Sequence, residues 1–109
     1  MSQAHQGRVL VIAGSDSGGG AGIQADIKTI TALGGYAATA ITAVTVQNTL
    51  GVTGVHPIPL DVIAAQARAV LDDIGADAIK TGMLGDAAVV ETVARALDHA
   101  VGVPAVVDP

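Results

Sequence analysis

Arg8-Val-Leu-Val-Ile-Ala13 runs directly into Gly14-Ser-Asp-Ser-Gly-Gly-Gly-Ala-Gly-Ile-Gln-Ala-Asp26. A continuous β-branched-rich run without polar alternation is the pattern of a strand covered on both faces. Five glycines then mark a turn. From about Gly22 to Leu33 the apolar residues Ile23, Ile27, Ile30 and Leu33 recur at helical spacing, and Gly34-Gly35 ends the pattern. A buried strand, a glycine-rich turn and an amphipathic helix form the first part of a β-α-β unit.

Working outward, strand-like runs recur at Ala37–Val46, Ala76–Thr81 and Ala105–Asp108. A second helix is predicted with Asp61 as N-cap and Ile63, Ala67, Val70, Leu71 and Ile74 on one face before Gly75. A third has Asp86 as N-cap, a stripe of Val90, Val93, Ala94, Leu97 and Val101, and an i,i+4 pair of Glu91 and Arg95. The predicted order is therefore β-α-β-α-β-α-β, an α/β fold with right-handed crossovers, a mainly parallel sheet and helices on its faces. Ligands of such sheets sit at the carboxyl ends of the strands. The polar residues 1–7 are expected to be a disordered tail, with residues 8–109 a portion of one domain. Because the chain stops at Asp108-Pro109 directly after a strand, an uncovered edge and a truncated sheet are expected.

Composition narrows the function. Half of the 109 residues are apolar, yet Tyr36 is the sole aromatic, which suits thin layers of helix against strand. A formal charge of −5 and a pI near 4.7 argue against a nucleic-acid partner, since there is nothing to neutralise a row of phosphates. The absence of cysteine excludes disulfides and thiolate metal sites and fits a reducing compartment. Val9–Ala13 is too short for a signal-peptide core. No run reaches the roughly 18 apolar residues of a membrane span, so a cytoplasmic protein without membrane contact is expected.

The glycine turn does not carry a standard nucleotide signature. Gly14 and Gly19 have the P-loop interval, but Gly20 stands where lysine is required. The dinucleotide fingerprint fails because Ile23 follows Gly18-x-Gly20 in place of Gly or Ala, and no acid follows the second strand for a ribose. The turn either lets backbone N–H groups approach an anionic or electron-rich ligand or is simply tight. At roughly 100° per residue, Asp26 shares the arc of Ile23, Ile30 and Leu33, whereas Gln24, Lys28 and Thr31 point away. Asp26 thus either braces the glycine loop and the helix start or accepts hydrogen bonds from a ligand's amino group. Gln47, within the polar cluster Thr42-Ala-Val-Thr-Val-Gln-Asn-Thr49, offers both a donor and an acceptor to a heterocycle; it serves equally as a loop cap. After the third run, Gly82 permits close approach and Met83 is able to lie on a flat ring or to fill a core. Lys80 fits either a phosphate contact or a salt bridge. Asp108 ends the last strand, where a carboxylate holds Mg²⁺ or caps a loop. His5, His56 and His99 are scattered and indicate no metal cluster or general base.

Taken together, Ile12–Thr29, Thr42–Thr49, Ile79-Lys-Thr-Gly-Met-Leu-Gly85 and Val107-Asp-Pro109 resemble, in order, the hydroxymethylpyrimidine/phosphomethylpyrimidine kinases of the ribokinase-like superfamily. The resemblance implies a three-layer α/β/α sandwich in which Gly14, Ala21, Asp26, Thr45, Gln47 and Met83 line a pyrimidine pocket. It places Asp108 on the phosphate and Mg²⁺ side, with ATP and Mg²⁺ as cofactors, and implies a homodimer at full length. Gln47 favours the pyrimidine over pyridoxal-type substrates. Members of the family carry a Gly-Thr-Gly-Cys anion-hole motif in a later half that these 109 residues lack, so no catalytic residue is assigned here. The implied activity is phosphorylation of 4-amino-5-hydroxymethyl-2-methylpyrimidine and its monophosphate in thiamine biosynthesis. The alternatives are a pyridoxal or sugar kinase of the same superfamily and a non-catalytic pyrimidine-binding module.

Overall fold

The computed structural model describes residues 7–98 and 100–108. The tail expected over residues 1–7 lies, Gly7 apart, outside the described residues, as do His99 and Pro109. Eight elements follow in order: β1 (Arg8–Asp16), α1 (Gly22–Ala32), β2 (Tyr36–Asn48), β3 (Gly51–Pro57), α2 (Leu60–Asp73), β4 (Ala78–Thr81), α3 (Ala87–Leu97) and β5 (Ala105–Val107). One sheet contains all five strands in the order β3-β2-β1-β4-β5. Only the β2–β3 pair is antiparallel.

The unbroken apolar run of β1 has a direct cause. Strand side chains alternate between faces, and both faces of this central strand are covered. Leu10 and Ile12 pack with Ile63 and Ala67 of α2 and Val89, Val93 and Ala96 of α3. Val11 and Ala13 pack with Ile23 of α1, bordered by Ile27 and Ile30. The chain moves outward from β1 to β2 and then returns across β1 to β4 and β5. Right-handed crossovers in opposite directions must lie on opposite faces, and α1 is indeed alone on one face, with α2 and α3 on the other. This is the three-layer α/β/α sandwich.

Several local expectations need correction. The sheet has a fifth strand, β3, which the sequence reading did not contain. It is an exposed edge hairpin with two glycines and a terminal proline, so its Val52 and Val55 form no unbroken run. Asp61 is not the N-cap of α2. Pro59 takes that position, its ring fixing φ near helical values, and Asp61 falls in the first turn, where the helix dipole favours a carboxylate. Asp86 does cap α3, accepting from Val89 N at 2.9 Å, and Glu91 pairs with Arg95. The buried stripe of α3 is nevertheless Val89, Val93 and Ala96; Val90 and Ala94 are exposed, and Val101 lies beyond the helix. Leu33 is also exposed, because it is the C-cap residue of α1 and the chain turns away at Gly34, whose φ is +85°. No helix among the described residues is long and apolar enough to cross a membrane.

Polar brackets close the frame. Arg8 forks onto Asp77 with contacts of 3.1 and 3.0 Å and donates to Ile74 O at 2.6 Å, tying the start of β1 to the end of α2. Beyond the paired part of β3, the Gln66 amide accepts from Ile41 N at 2.9 Å and donates to Ile41 O at 3.0 Å. Among the described residues, one buried side-chain polar atom is left over: the hydroxyl of Thr81, at the carboxyl end of β4, has no hydrogen-bond partner. An unsatisfied buried hydroxyl costs roughly 1–3 kcal/mol, so Thr81→Val, of nearly the same shape, is expected to stabilise the chain by about 1 kcal/mol. Paired urea unfolding curves monitored by circular dichroism measure this, and a lower midpoint for the variant would contradict it.

Candidate functional site

At the carboxyl end of β1 the strand register slips between Ala13 and Ser15, and the chain reaches Asp16, a buried carboxylate. Three backbone groups answer it: Gly18 N donates to Oδ1 at 2.7 Å, and Gly20 N and Ala21 N donate to Oδ2 at 3.0 and 2.8 Å. The glycine turn therefore curls around an anion that belongs to the chain itself. Gln24 adds a second tie, its Oε1 accepting from Asp16 N at 2.8 Å and its amide nitrogen donating to Ser15 Oγ at 2.7 Å. The helical projection turns Gln24 away from the apolar face of α1; its side chain reaches back to the end of β1. Gly22 has φ of +60°, and a Cβ there would meet Gly14 O at 2.3 Å, so only glycine allows the helix start to fold back onto the strand.

The second wall comes from β2 and β3. The Thr45 hydroxyl is shared between Ser15 O at 2.8 Å and Gln47 Oε1 at 3.1 Å. Ser17 Oγ donates to Gln47 O at 2.5 Å and accepts from Gln47 N at 2.8 Å, which stitches the glycine turn to the hairpin. On the other side of β1, Gly82 N donates to Ile12 O at 2.9 Å. A Cβ on Gly82 would stand 2.9 Å from Ala13 Cβ, so this close approach excludes larger residues.

These strand ends enclose a largely apolar cavity of about 460 Å³, lined by residues that include Gly14, Asp16, Ala21, Thr45, Gln47, Val52, Val55, Lys80, Gly82, Met83 and Asp108. That volume falls in the range of small-molecule sites, roughly 300–1,000 Å³. The position is where the strand order reverses on either side of β1, the usual ligand crevice of an open α/β sheet. Of the residues singled out in the sequence, the cavity brings together Gly14, Ala21, Thr45, Gln47, Met83 and Asp108. Asp26 is not in its lining; its carboxylate accepts a 2.8 Å hydrogen bond from Lys80 Nζ. Lys80 also lies 3.6 Å from Asp108. Among the described residues, no group of three or more His, Cys, Asp or Glu is placed to hold a metal ion.

Sequence reasoning missed Asp16. Its signal was present: an aspartate two residues before a glycine commonly bonds the backbone two positions on. Burial alone would raise the Asp16 pKa, but the N–H groups of Gly18, Ala21, Gly20 and Gly19 outweigh it and hold the carboxyl below its ordinary value.

An open sheet with α1 on one face, α2 and α3 on the other, and a cavity at the reversal of strand order is the ribokinase-like architecture. A model of the phosphomethylpyrimidine kinase family matches residues 16–109, and the chain belongs to that family. It is 60% identical over 105 residues to the hydroxymethylpyrimidine/phosphomethylpyrimidine kinase of Mycobacterium tuberculosis, a match covering 94% of this chain and 38% of that protein. The chain thus spans under two fifths of that relative's length. Among solved structures, phosphomethylpyrimidine kinase from Clostridium difficile superposes with a TM-score of 0.91 at 43% identity, covering 95% of this chain and 45% of that one. Pyridoxal kinase from Staphylococcus aureus in complex with AMP-PCP and pyridoxal superposes with a TM-score of 0.85 at 39% identity, covering 97% and 40%.

The lowered Asp16 pKa has a signed consequence. A carboxyl bound more weakly by protons in the folded state than in the unfolded chain adds stability above the unfolded value, near 3.9, and loses it as pH falls through the folded value. Asparagine offers one acceptor oxygen for these three donors. The unfolding midpoint of Asp16→Asn is therefore expected to lie well below that of the wild type above about pH 5, with the gap closing as the solution is acidified. A gap that is constant with pH would remove the charge of Asp16 from the stability of the loop.

Proposed function

We propose that this chain carries the substrate side of an ATP-dependent kinase that phosphorylates 4-amino-5-hydroxymethyl-2-methylpyrimidine and then its monophosphate, a step of thiamine biosynthesis. The observation that carries the reading is the position of Gln47. Its side chain lines the cavity with its carbonyl beside the Thr45 hydroxyl, so a donor–acceptor amide is held where a heterocycle would enter. A pyrimidine bearing an amino group displays a matching donor beside a ring acceptor. Gly14 and Ala21 leave room for a flat ring, and exposed Met83 is free to close over it. Asp26, included by the family resemblance, acts on the cavity through its bond to Lys80.

Asp108 is the exposed carboxylate at the cavity rim. A single carboxylate fits Mg²⁺, which commonly takes one or two and fills its remaining sites with water and substrate phosphates. ATP with Mg²⁺, when bound, supplies the phosphoryl group and neutralises its charge. The residues present here hold the acceptor and keep its hydroxymethyl group toward that rim. A cytoplasmic homodimer belongs to the same reading.

The resemblance to the S. aureus pyridoxal kinase supports a second reading, in which the ring is a pyridine. A coupled ADP-release assay on the protein at its natural length separates the two. The pyrimidine alcohol is expected to be the better substrate. Gln47→Ala is expected to lose about 2- to 13-fold in kcat/KM for the pyrimidine, the equivalent of one net hydrogen bond, with a smaller loss for pyridoxal. A wild-type preference for pyridoxal, or no ADP release with either compound, would overturn the pyrimidine reading.

A further inference from the structure

The chain has five basic side chains, Arg8, Lys28, Arg68, Lys80 and Arg95, against ten acidic ones. Among the described residues, Lys80 alone of these lines the cavity. Arg8 is engaged at the opposite end of β1, and Lys28 donates to Gly19 O at 2.7 Å on the exposed side of the glycine turn. Lys80 joins the cavity lining from β4, with about a quarter of its side chain exposed. An ammonium drawn partly out of water beside a mainly apolar cavity is costly unless it is paired. Asp26 supplies that pairing through a short contact at 2.8 Å.

A brace between α1 and β4 would need only that one bond. The ammonium has three donors, and the structure commits one of them, to Asp26. Its second ionic neighbour, Asp108, stands at 3.6 Å with 60% of its side chain exposed, a loose contact that water or an ion readily replaces. Among the described residues, two donors are thus left uncommitted on an ammonium that lines the cavity.

A neutral pyrimidine alcohol has no need of a cation. Its monophosphate does, because the added charge must sit near Asp108. The other feature that might receive it is already spent: Gly18, Gly20 and Ala21 direct their N–H groups at Asp16. The glycine turn is satisfied by an internal carboxylate, which leaves Lys80 as the basic group of this chain able to meet a phosphate within the cavity.

We propose that Lys80 determines acceptance of the phosphorylated ligand: anchored by Asp26, its ammonium exchanges the loose contact with Asp108 for a phosphate oxygen of the pyrimidine monophosphate. The inference rests on the pyrimidine reading above and adds to it the residue that separates the second substrate from the first. Lys80 is a specificity residue of the cavity, and the bond to Asp26 positions it.

The test is titration calorimetry of the natural-length protein, without nucleotide, using the pyrimidine alcohol and its monophosphate as probes. The readout is the ratio of the two affinities, because any general damage from changing Lys80 weakens both probes and cancels. Lys80→Met is expected to lower the monophosphate-to-alcohol ratio about tenfold or more, the usual weight of a charge-assisted hydrogen bond. Lys80→Gln keeps a donor for Asp26 but not the charge, and should lower the ratio similarly. Lys80→Arg should hold it within about threefold, since the charge and the donors toward phosphate survive. If the Met and Gln variants lose affinity for both probes equally, or for neither, Lys80 is only a brace and the proposal fails while the pyrimidine reading stands. If the wild type binds neither probe, the pyrimidine reading fails and takes this inference with it.

Discussion

A carboxylate buried at the end of the central strand must be met by hydrogen-bond donors, and in this chain those donors are the backbone of the next five residues. Asp16 is buried and receives Gly18, Gly20 and Ala21. To deliver these N–H groups, the chain must wrap closely around the side chain, a path that five glycines permit. The same wrapping sets the start of α1 against Gly14, so that Gly22 meets Gly14 O more closely than any side chain would tolerate. Ser17 then ties the turn to Gln47, and Thr45 ties β2 to Ser15. One wall of the cavity thus follows from satisfying one buried charge.

The other wall follows from topology. Because β1 has β2 on one side and β4 on the other, the connections leave its carboxyl end in opposite directions and open a crevice between them. Gly82 lets β4 come close against Ala13 before the chain turns away, and Lys80 from β4 and Asp108 from just beyond β5 join the cavity lining. The lining thus takes the uncharged side chains of Thr45 and Gln47 from the β2 side of β1, and the charged Lys80 and Asp108 from the side of β4 and β5.

Much of this was legible in the sequence, for identifiable reasons. Val9 to Ala13 is apolar throughout because both of its faces are covered, and the isoleucines of α1 repeat because one face of that helix packs on β1. Gly14, Ala21, Asp26, Thr45, Gln47 and Met83 were legible as a set only through the resemblance of the motifs to a known family, and all but Asp26 line the cavity. What was not legible depended on contacts distant in sequence. β3 buries little and is held by pairing with β2, so its residues show no core pattern. The stripe of α3 differs from the projected one because only the side against α2 and the sheet is covered, leaving Val90 exposed. Asp26 shares the buried arc of α1, but a helical projection cannot show that Lys80, 54 positions along the chain, supplies its partner. Asp16, the last residue of β1, was not legible because its donors come from the irregular turn that follows, which has no periodicity from which to infer their positions.

The central claim is that the cavity is formed in advance by the Asp16-bound turn and receives a pyrimidine ring against Gln47. A crystal structure of the protein with 4-amino-5-hydroxymethyl-2-methylpyrimidine tests it most directly. The expected result is a ring between Met83 and the Thr45–Gln47 edge, its hydroxymethyl group directed toward Lys80 and Asp108, with the three backbone bonds to Asp16 unchanged. A ring bound outside this cavity, or a glycine turn released from Asp16 and rewrapped around the ligand, would contradict it.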